Sequence, residues 1–194
     1  RTITRLGGNF SVERGIDPVA AEKSIAALVD FKKAIAANGA DVVLAVATSV
    51  VRRSRNGAWF VSEVYKRSGI EIRVIDGQEE ARLSLLGVLS VLKTCAEKML
   101  VFDIGGGSTE FIAVDAKGRR GDNPLAAAWS MEMGVVHLTE KYLLSDPPLT
   151  TDVSGLEAEI DGVLTGLKSQ MEDSGVSPAA YSGGSGAALV GTAG

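Results

Sequence analysis

The sequence predicts an α/β protein, and three observations carry that expectation. Short runs of apolar and branched residues alternate with segments of helical periodicity along the whole chain, the order that builds sheets with helices between the strands. Two of the runs, 41–47 (DVVLAVA) and 98–104 (KMLVFDI), are almost unbroken, as in strands covered on both faces. Glycine is abundant, 23 of 194 residues, and it gathers where runs end, at Gly105, Gly106 and Gly107 and between Gly183 and Gly194.

Each element has its own signal. Residues 2–6 alternate branched and polar residues before Gly7-Gly8 and read as a short strand and turn. Asp17-Pro18 opens a helix, the Asp capping free amides and the Pro suiting the first helical position; Ile25, Leu28, Val29 and Ile35 form its apolar stripe, and Gly39 ends it. After strand 41–47 come a short helix at 59–67 and a strand at 71–75. A helix at 78–98 carries Leu83, Leu85, Leu86, Val88, Leu89, Val91 and Leu92 on nearly every face, so it is expected to be buried all round, as a connector between two lobes. Strands follow at 98–104, 109–115 and 126–133, with a turn at Lys117-Gly118 after the second. Helices at 135–144 and 151–171 flank Asp146-Pro147-Pro148, residues 174–186 read as loop, and 187–190 is a last strand. The lobe boundary is expected near Glu97, giving lobes 1–97 and 98–194. Small hydroxyl residues follow both Ala47 and Gly191, a faint sign of two related halves.

Composition excludes several function classes. The chain is 45% hydrophobic and 23% charged with net charge −4, an ordinary folded balance with no basic tract for a nucleic-acid backbone. At 5% aromatic residues a base-stacking surface is not expected either. One cysteine and one histidine rule out an internal disulfide and a Cys/His zinc cluster, and a reduced, cytoplasmic setting follows. No run of apolar residues is long enough for a membrane span. Cys95 and His137 read as packing and surface residues.

Three segments carry chemistry. In Asp103-Ile104-Gly105-Gly106-Gly107-Ser108-Thr109-Glu110 the glycines let successive backbone amides approach an anion. Asp103 ends a buried strand, where a divalent cation would justify a carboxylate, and magnesium takes carboxylate, water and phosphate oxygens. A strand, not a helix, follows the glycines, and no Gly-Lys-Ser/Thr occurs, so neither the dinucleotide fingerprint nor the P-loop fits; the segment is a glycine turn within a hairpin. In Asp76-Gly77-Gln78-Glu79-Glu80-Ala81-Arg82, two carboxylates stand in a first helical turn, which suits its dipole without any function. Helical spacing sets Glu79 beside Arg82 and Glu80 over Ser84 and Gly87, a small-residue face with room for a ligand. In Thr48-Ser49-Val50-Val51-Arg52-Arg53-Ser54-Arg55, hydroxyls and arginines follow a strand end, where a guanidinium can fork onto phosphate; a solvated basic loop is the plain alternative.

These segments, AVATSVVRRSRN, VIDGQEEARL and VFDIGGGSTEF, in this order and spacing, resemble the exopolyphosphatase / guanosine-pentaphosphate phosphohydrolase family of the actin-like ATPase superfamily. The resemblance runs over nearly the whole chain. It implies an actin-like (ribonuclease H-like) two-lobe fold. It also implies magnesium-dependent cleavage of the terminal phosphoanhydride of polyphosphate or of the 5′ γ-phosphate of guanosine pentaphosphate, the latter tied to the stringent response. By resemblance Glu80 is the general base, and Asp103 and Glu110 serve the metal and its water. Gly105, Gly106, Gly107, Ser108 and Thr109 form a phosphate-holding loop, and Arg52, with Thr48 and Ser49 beside it, binds phosphate. The expected partners are those substrates, not nucleic acid or membrane, with a homodimer as one outcome. An ATP-dependent actin-like kinase and a non-catalytic phosphate-binding module are the alternatives. The family's first-lobe Asp-x-Gly-Ser/Thr-Asn-Ser turn does not occur in this chain, and His137 stands where a basic residue such as Arg is expected. On that basis the 194-residue chain alone is expected to fold, to be nearly inert, and to self-associate through an open edge beside residues 2–6.

Overall fold

The computed structural model describes residues 2–92, 96–116, 125–182 and 184–193. Cys95 and the turn at Lys117-Gly118 lie outside the described residues. The chain divides into two compact units, Arg1–Asp76 and Gly77–Gly194.

In the first unit, α1 (Pro18–Ala37) starts as its sequence dictates: the Asp17 carboxylate accepts from the amides of Val19 (2.9 Å) and Ala20 (3.0 Å). Its buried Ala21 and Ile25 pack with Ile16, Val51, Phe60, Val64 and Ile70. Those partners come from the segment before α1, from α2 (Ser49–Arg53), from α3 (Gly57–Ser68) and from the residues just after it. The strands β1 (Ala45–Ala47) and β2 (Ile72–Val74) pair in parallel, Ala45 opposite Ile72 and Ala47 opposite Val74. The Asn56 side chain holds the chain before α1, accepting from the Ile16 amide (2.8 Å) and donating to the Ile16 carbonyl (3.0 Å).

Two expectations for this unit fail. Residues 2–6 form no strand; Arg5 takes a positive φ of 52°, and its carbonyl accepts from the Gly8 amide (2.8 Å) in a turn. Residues 2–6 thus do not extend the first unit's sheet, which among the described residues consists of β1 and β2. The run 41–47 is a strand only in its last three residues, and Leu44 is 90% exposed. A three-residue β2 offers ladder partners for three residues only, and hydrophobicity alone did not bury the rest.

The second unit is built on a four-stranded sheet of β3 (Lys98–Ile104), β4 (Thr109–Asp115), β5 (Leu125–Met131) and β6 (Ala188–Ala193). Its order is β5-β4-β3-β6, with β3–β4 and β4–β5 antiparallel and β3–β6 parallel. A meander joined by a parallel strand is the order of a ribonuclease H-like lobe. Side chains alternate between faces. Met99, Val101, Ile112 and Val114 pack against Ala81, Leu85 and Val88 of α4 (Gly77–Val91). Phe111, Ala113 and Trp129 meet Leu167 and Met171 of α6 (Thr150–Asp173) on the opposite face. Each large side chain buried this way contributes about 1.5–3 kcal/mol. The central β4 is covered on both faces, which accounts for its unbroken apolar run.

The helix α4 departs from its expected form. It ends at Val91, and it is not buried all round: Leu83 (39%), Leu86 (50%) and Val91 (76%) are exposed. One stripe lies on the second sheet, so α4 belongs to the second unit and the division falls after Asp76, not near Glu97. The last strand also runs further than expected, so Thr192 lies within β6. Residues 178–181, read as loop, form a short 3₁₀ turn. Among the described residues no helix is long and apolar enough to cross a membrane.

Candidate active site

A single polar row crosses the second sheet where its apolar face ends. Antiparallel register sets Asp103 opposite Glu110, and Glu110 opposite Ser130; parallel register sets Asp103 beside Thr192. The row therefore reads Ser130, Glu110, Asp103, Thr192 across four strands. Directly paired residues share a face, and Asp103 and Glu110 follow Val101 and Ile112 in alternation, so both belong to the α4 side. Glu110 is 3% exposed, and one of its oxygens, Oε1, accepts from Ser108 Oγ (2.8 Å) and from Ser130 Oγ (2.8 Å). Two hydroxyl donors offset the cost of a buried carboxylate.

Asp103 receives its own donor from α4: Ser84 Oγ gives a hydrogen bond to Oδ2 at 2.7 Å. Glu80 precedes Ser84 by four residues, so the two share a face of α4. The next member of that stripe, Gly87, joins Ser84, Val91, Asp103, Val190 and Thr192 around a pocket of ≈ 430 Å³. A Cβ on Gly87 would meet no atom within 4 Å. The small-residue face expected below Glu80 is thus real, and it opens on Asp103. Glu79 and Glu80 both stand in the first turn of α4, as the dipole favours.

The glycine hairpin is held by α5 (Val135–Tyr142). The Gly105 amide donates to the Ser108 carbonyl (2.9 Å), closing the turn between β3 and β4. The Gly105 carbonyl accepts from the Val135 amide (3.0 Å), and the Gly106 carbonyl accepts from the amides of Val136 (3.0 Å) and His137 (3.3 Å). Three amides that a helix start leaves unpaired are thereby satisfied by the loop. In a trans peptide the carbonyl and the following N–H point in opposite directions. The amides of Gly106 and Gly107 therefore face away from α5, which is the orientation an anion needs. The side chains of Ser108 and Thr109 do not join them. Both residues are buried; Ser108 is bound to Glu110, and Thr109 Oγ1 donates to the Met133 carbonyl. Their hydroxyls support the hairpin from inside.

The other end of α5 is tied to α6. Glu159 accepts from Tyr142 Oη (2.6 Å) and Lys141 Nζ (3.1 Å), and the Tyr142 bond first, then Lys141, holds its carboxyl below the ordinary value of 4.5. A carboxylate with a depressed folded pKa stabilises the fold above its unfolded pKa, and that contribution is lost as pH falls through the folded value. Tyr142→Phe should therefore raise the Glu159 pKa and flatten the loss of melting temperature below about pH 4.5. Carboxyl NMR titration checks the first effect, and melting curves at pH 7 and pH 4 check the second. His137, exposed on α5, lies near enough to act on Glu159 electrostatically.

Thr48, Ser49 and Arg52 belong to the first unit. Arg52 Nη1 donates to the Ile75 carbonyl (2.7 Å), which anchors the guanidinium at the end of β2. Ser49 is buried, and Thr48 precedes α2 without a side-chain cap bond. Of the neighbouring arginines, Arg53 lies in α2 with its guanidinium carbon 5.8 Å from the centre of the Phe10 ring, and Arg55, exposed, donates from Nε to the Arg14 carbonyl (3.2 Å). Sequence reasoning missed Ser130 and Thr192 as members of the site. The only local sign of Ser130 is a polar residue in the apolar run of β5.

As to a metal, no group of three His, Cys, Asp or Glu side chains forms a cage among the described residues. Magnesium does not need one, since it keeps several waters and uses one or two carboxylates. Asp103, with Ser84 on one oxygen and the solvent-shielded Thr192 Oγ1 lacking any hydrogen-bond partner, fits such a site.

Comparison with known proteins gives one consistent result. Exopolyphosphatase 2 of Mycobacterium tuberculosis is 33% identical over 157 residues, covering 78% of this chain and 47% of that protein. A crystal structure of an exopolyphosphatase from Cytophaga hutchinsonii matches with TM-score 0.78 and 27% identity, over 89% of this chain and 53% of that one. The PPX-GPPA enzyme of Aquifex aeolicus matches with TM-score 0.61 and 30% identity, over 86% and 53%. The chain thus spans about half the length of these relatives. Residues 1–190 match the Ppx/GppA phosphatase family, and with the glycine hairpin and its carboxylate pair in place, this chain belongs to that family.

Proposed function

We propose that the protein hydrolyses terminal phosphoanhydride bonds, in inorganic polyphosphate or at the 5′ γ-phosphate of guanosine pentaphosphate, with magnesium. The observation that carries this reading is the pairing of Asp103 with Glu110 across the base of a glycine hairpin whose Gly105 and Gly106 carbonyls are bonded to α5, so that the amides that follow them point away from it. Membership of a phosphatase family and relatives named exopolyphosphatases support it.

Phosphoryl transfer is largely positioning and charge neutralisation. The Gly106 and Gly107 amides bind the terminal phosphate; within the first unit, Arg52, Thr48 and Ser49 are proposed as phosphate-binding residues on the resemblance alone. Glu80 accepts a proton from water as its oxygen attacks phosphorus in line; the anhydride P–O bond breaks and the shortened chain leaves. Asp103 and Glu110 would hold magnesium and its water, and the ion when bound would offset charge on the phosphoryl oxygens. Ser84 fixes Asp103 from the helix that also carries Glu80, so base and metal carboxylate share one anchor. Ser108 and Ser130 fix Glu110 in the same manner. The reading implies a cytoplasmic setting and, for guanosine pentaphosphate, a place in the stringent response.

Phosphate release from polyphosphate, guanosine pentaphosphate and ATP by the full-length protein tests it. Turnover of either of the first two well above ATP is expected. ATP as the preferred substrate would move the protein to the actin-like kinases, and turnover of none would make it a binding module.

A further inference from the structure

We infer that Thr192 is a ligand-contacting residue: its hydroxyl, together with the Asp103 carboxylate, holds a divalent cation, directly or through one of the ion's waters. This rests on the reading of Asp103 as the metal carboxylate. Thr192 Oγ1 is shielded from solvent and has no hydrogen-bond partner among the described residues. Such an orphan costs about 1–3 kcal/mol, so folded proteins rarely keep one without a use. Its place supplies the use. Register sets Thr192 beside Asp103 on the parallel neighbour of β3, and both residues line the pocket of ≈ 430 Å³ below Glu80.

The chemistry of the pocket selects the ligand. The carboxylate of Asp103 repels a bare phosphate and favours a cation. Ser84 already donates to Oδ2, which fixes the carboxylate's rotation and assigns Oδ1 to a ligand. Magnesium accepts neutral oxygens beside a carboxylate, and a Ser or Thr hydroxyl plays that part in P-loop proteins. Val88, Val91, Leu92 and Val190 supply the apolar side chains of the wall, and these offer the hydroxyl no competing partner.

The test compares wild type, Thr192→Val and Thr192→Ser in the full-length protein, with Mn²⁺ as the probe, followed by electron paramagnetic resonance and competed with Mg²⁺. Valine keeps nearly the same shape and removes the hydroxyl. Thr192→Val is expected to bind Mn²⁺ about tenfold more weakly, the lower end for losing an outer partner of a metal site. Thr192→Ser is expected to keep the wild-type affinity. The metal-free Thr192→Val protein is expected to melt at or above wild type, because an unpaired buried hydroxyl has gone. Unchanged Mn²⁺ affinity in Thr192→Val overturns the inference while leaving Asp103 as a ligand. Metal-free Thr192→Val melting well below wild type also overturns it, since the hydroxyl then serves the fold. Wild-type protein that binds no Mn²⁺ overturns the metal reading of Asp103 and this inference with it.

Discussion

Glu80→Gln is expected to reduce phosphate release by roughly 10²–10⁴-fold, the contribution of a positioned general base. The substitution keeps the size of the side chain and the helix start, so melting temperature and substrate affinity should stay near wild type. The reason lies in α4. Glu80 stands one turn before Ser84, and Ser84 is bonded to Asp103 at 2.7 Å, so the helix face that carries Glu80 is the face tied to the carboxylate row. Glu79 stands in the same first turn but is not in register with Ser84. Glu79→Gln should therefore be much milder. Steady-state kinetics with polyphosphate separate the two: equal losses, or none from Glu80→Gln, would remove Glu80 from the mechanism.

The second large effect is structural. A Cβ at Gly134 would lie 2.4 Å from the carbonyl carbon and oxygen of Gly106 and from the Gly107 amide nitrogen. These are backbone atoms, so no rotamer change relieves the overlap. Either α5 or the glycine hairpin must shift, and the bonds from Val135, Val136 and His137 to the hairpin carbonyls are what the shift breaks. Overpacking of this kind costs on the order of 1–3 kcal/mol. Gly134→Ala should lower the melting temperature by about 2–4 °C per kcal/mol lost. It should also weaken phosphate binding, because the Gly106 and Gly107 amides are aimed only while their partner carbonyls are held. Calorimetry with inorganic phosphate and hydrogen exchange at Gly106 and Gly107 measure both effects. A variant with wild-type melting and phosphate affinity would show that α5 does not orient the hairpin.

The parts of this site that the sequence makes legible are those fixed locally. The bounds of β3 and β4 follow from two apolar runs closed by glycine and by polar residues, and the structure matches them residue for residue. The start of α1 is equally local, since Asp17 and Pro18 act on their own next turn. What fails depends on distant neighbours. Leu83, Leu86 and Val91 count toward an apolar helix, but only the sheet decides which stripe of α4 is covered. Residues 42–44 have the composition of a buried strand and lack a layer to bury them. Ser130 and Thr192 enter the site through strand register, Ser130 opposite Glu110 and Thr192 beside Asp103, across separations that no local pattern encodes. The glycines point to backbone amides as the loop's anion donors, while Ser108 and Thr109 join the phosphate-holding loop only by resemblance; their hydroxyls are bonded inside the hairpin, to Glu110 and to the Met133 carbonyl, which no local pattern encodes.

The central claim is that the Asp103–Glu110 row, under the helix of Glu80, is the reaction centre. Phosphate release from polyphosphate by Asp103→Asn in the full-length protein, measured across a magnesium titration, tests it most directly. The account predicts a loss on the order of 10²–10³-fold, the scale for removing one charge-stabilising group from a transition state. It also predicts a shift of the magnesium response to higher concentration, with the fold intact because asparagine can still accept from Ser84. Wild-type turnover and an unchanged magnesium response in Asp103→Asn would contradict it.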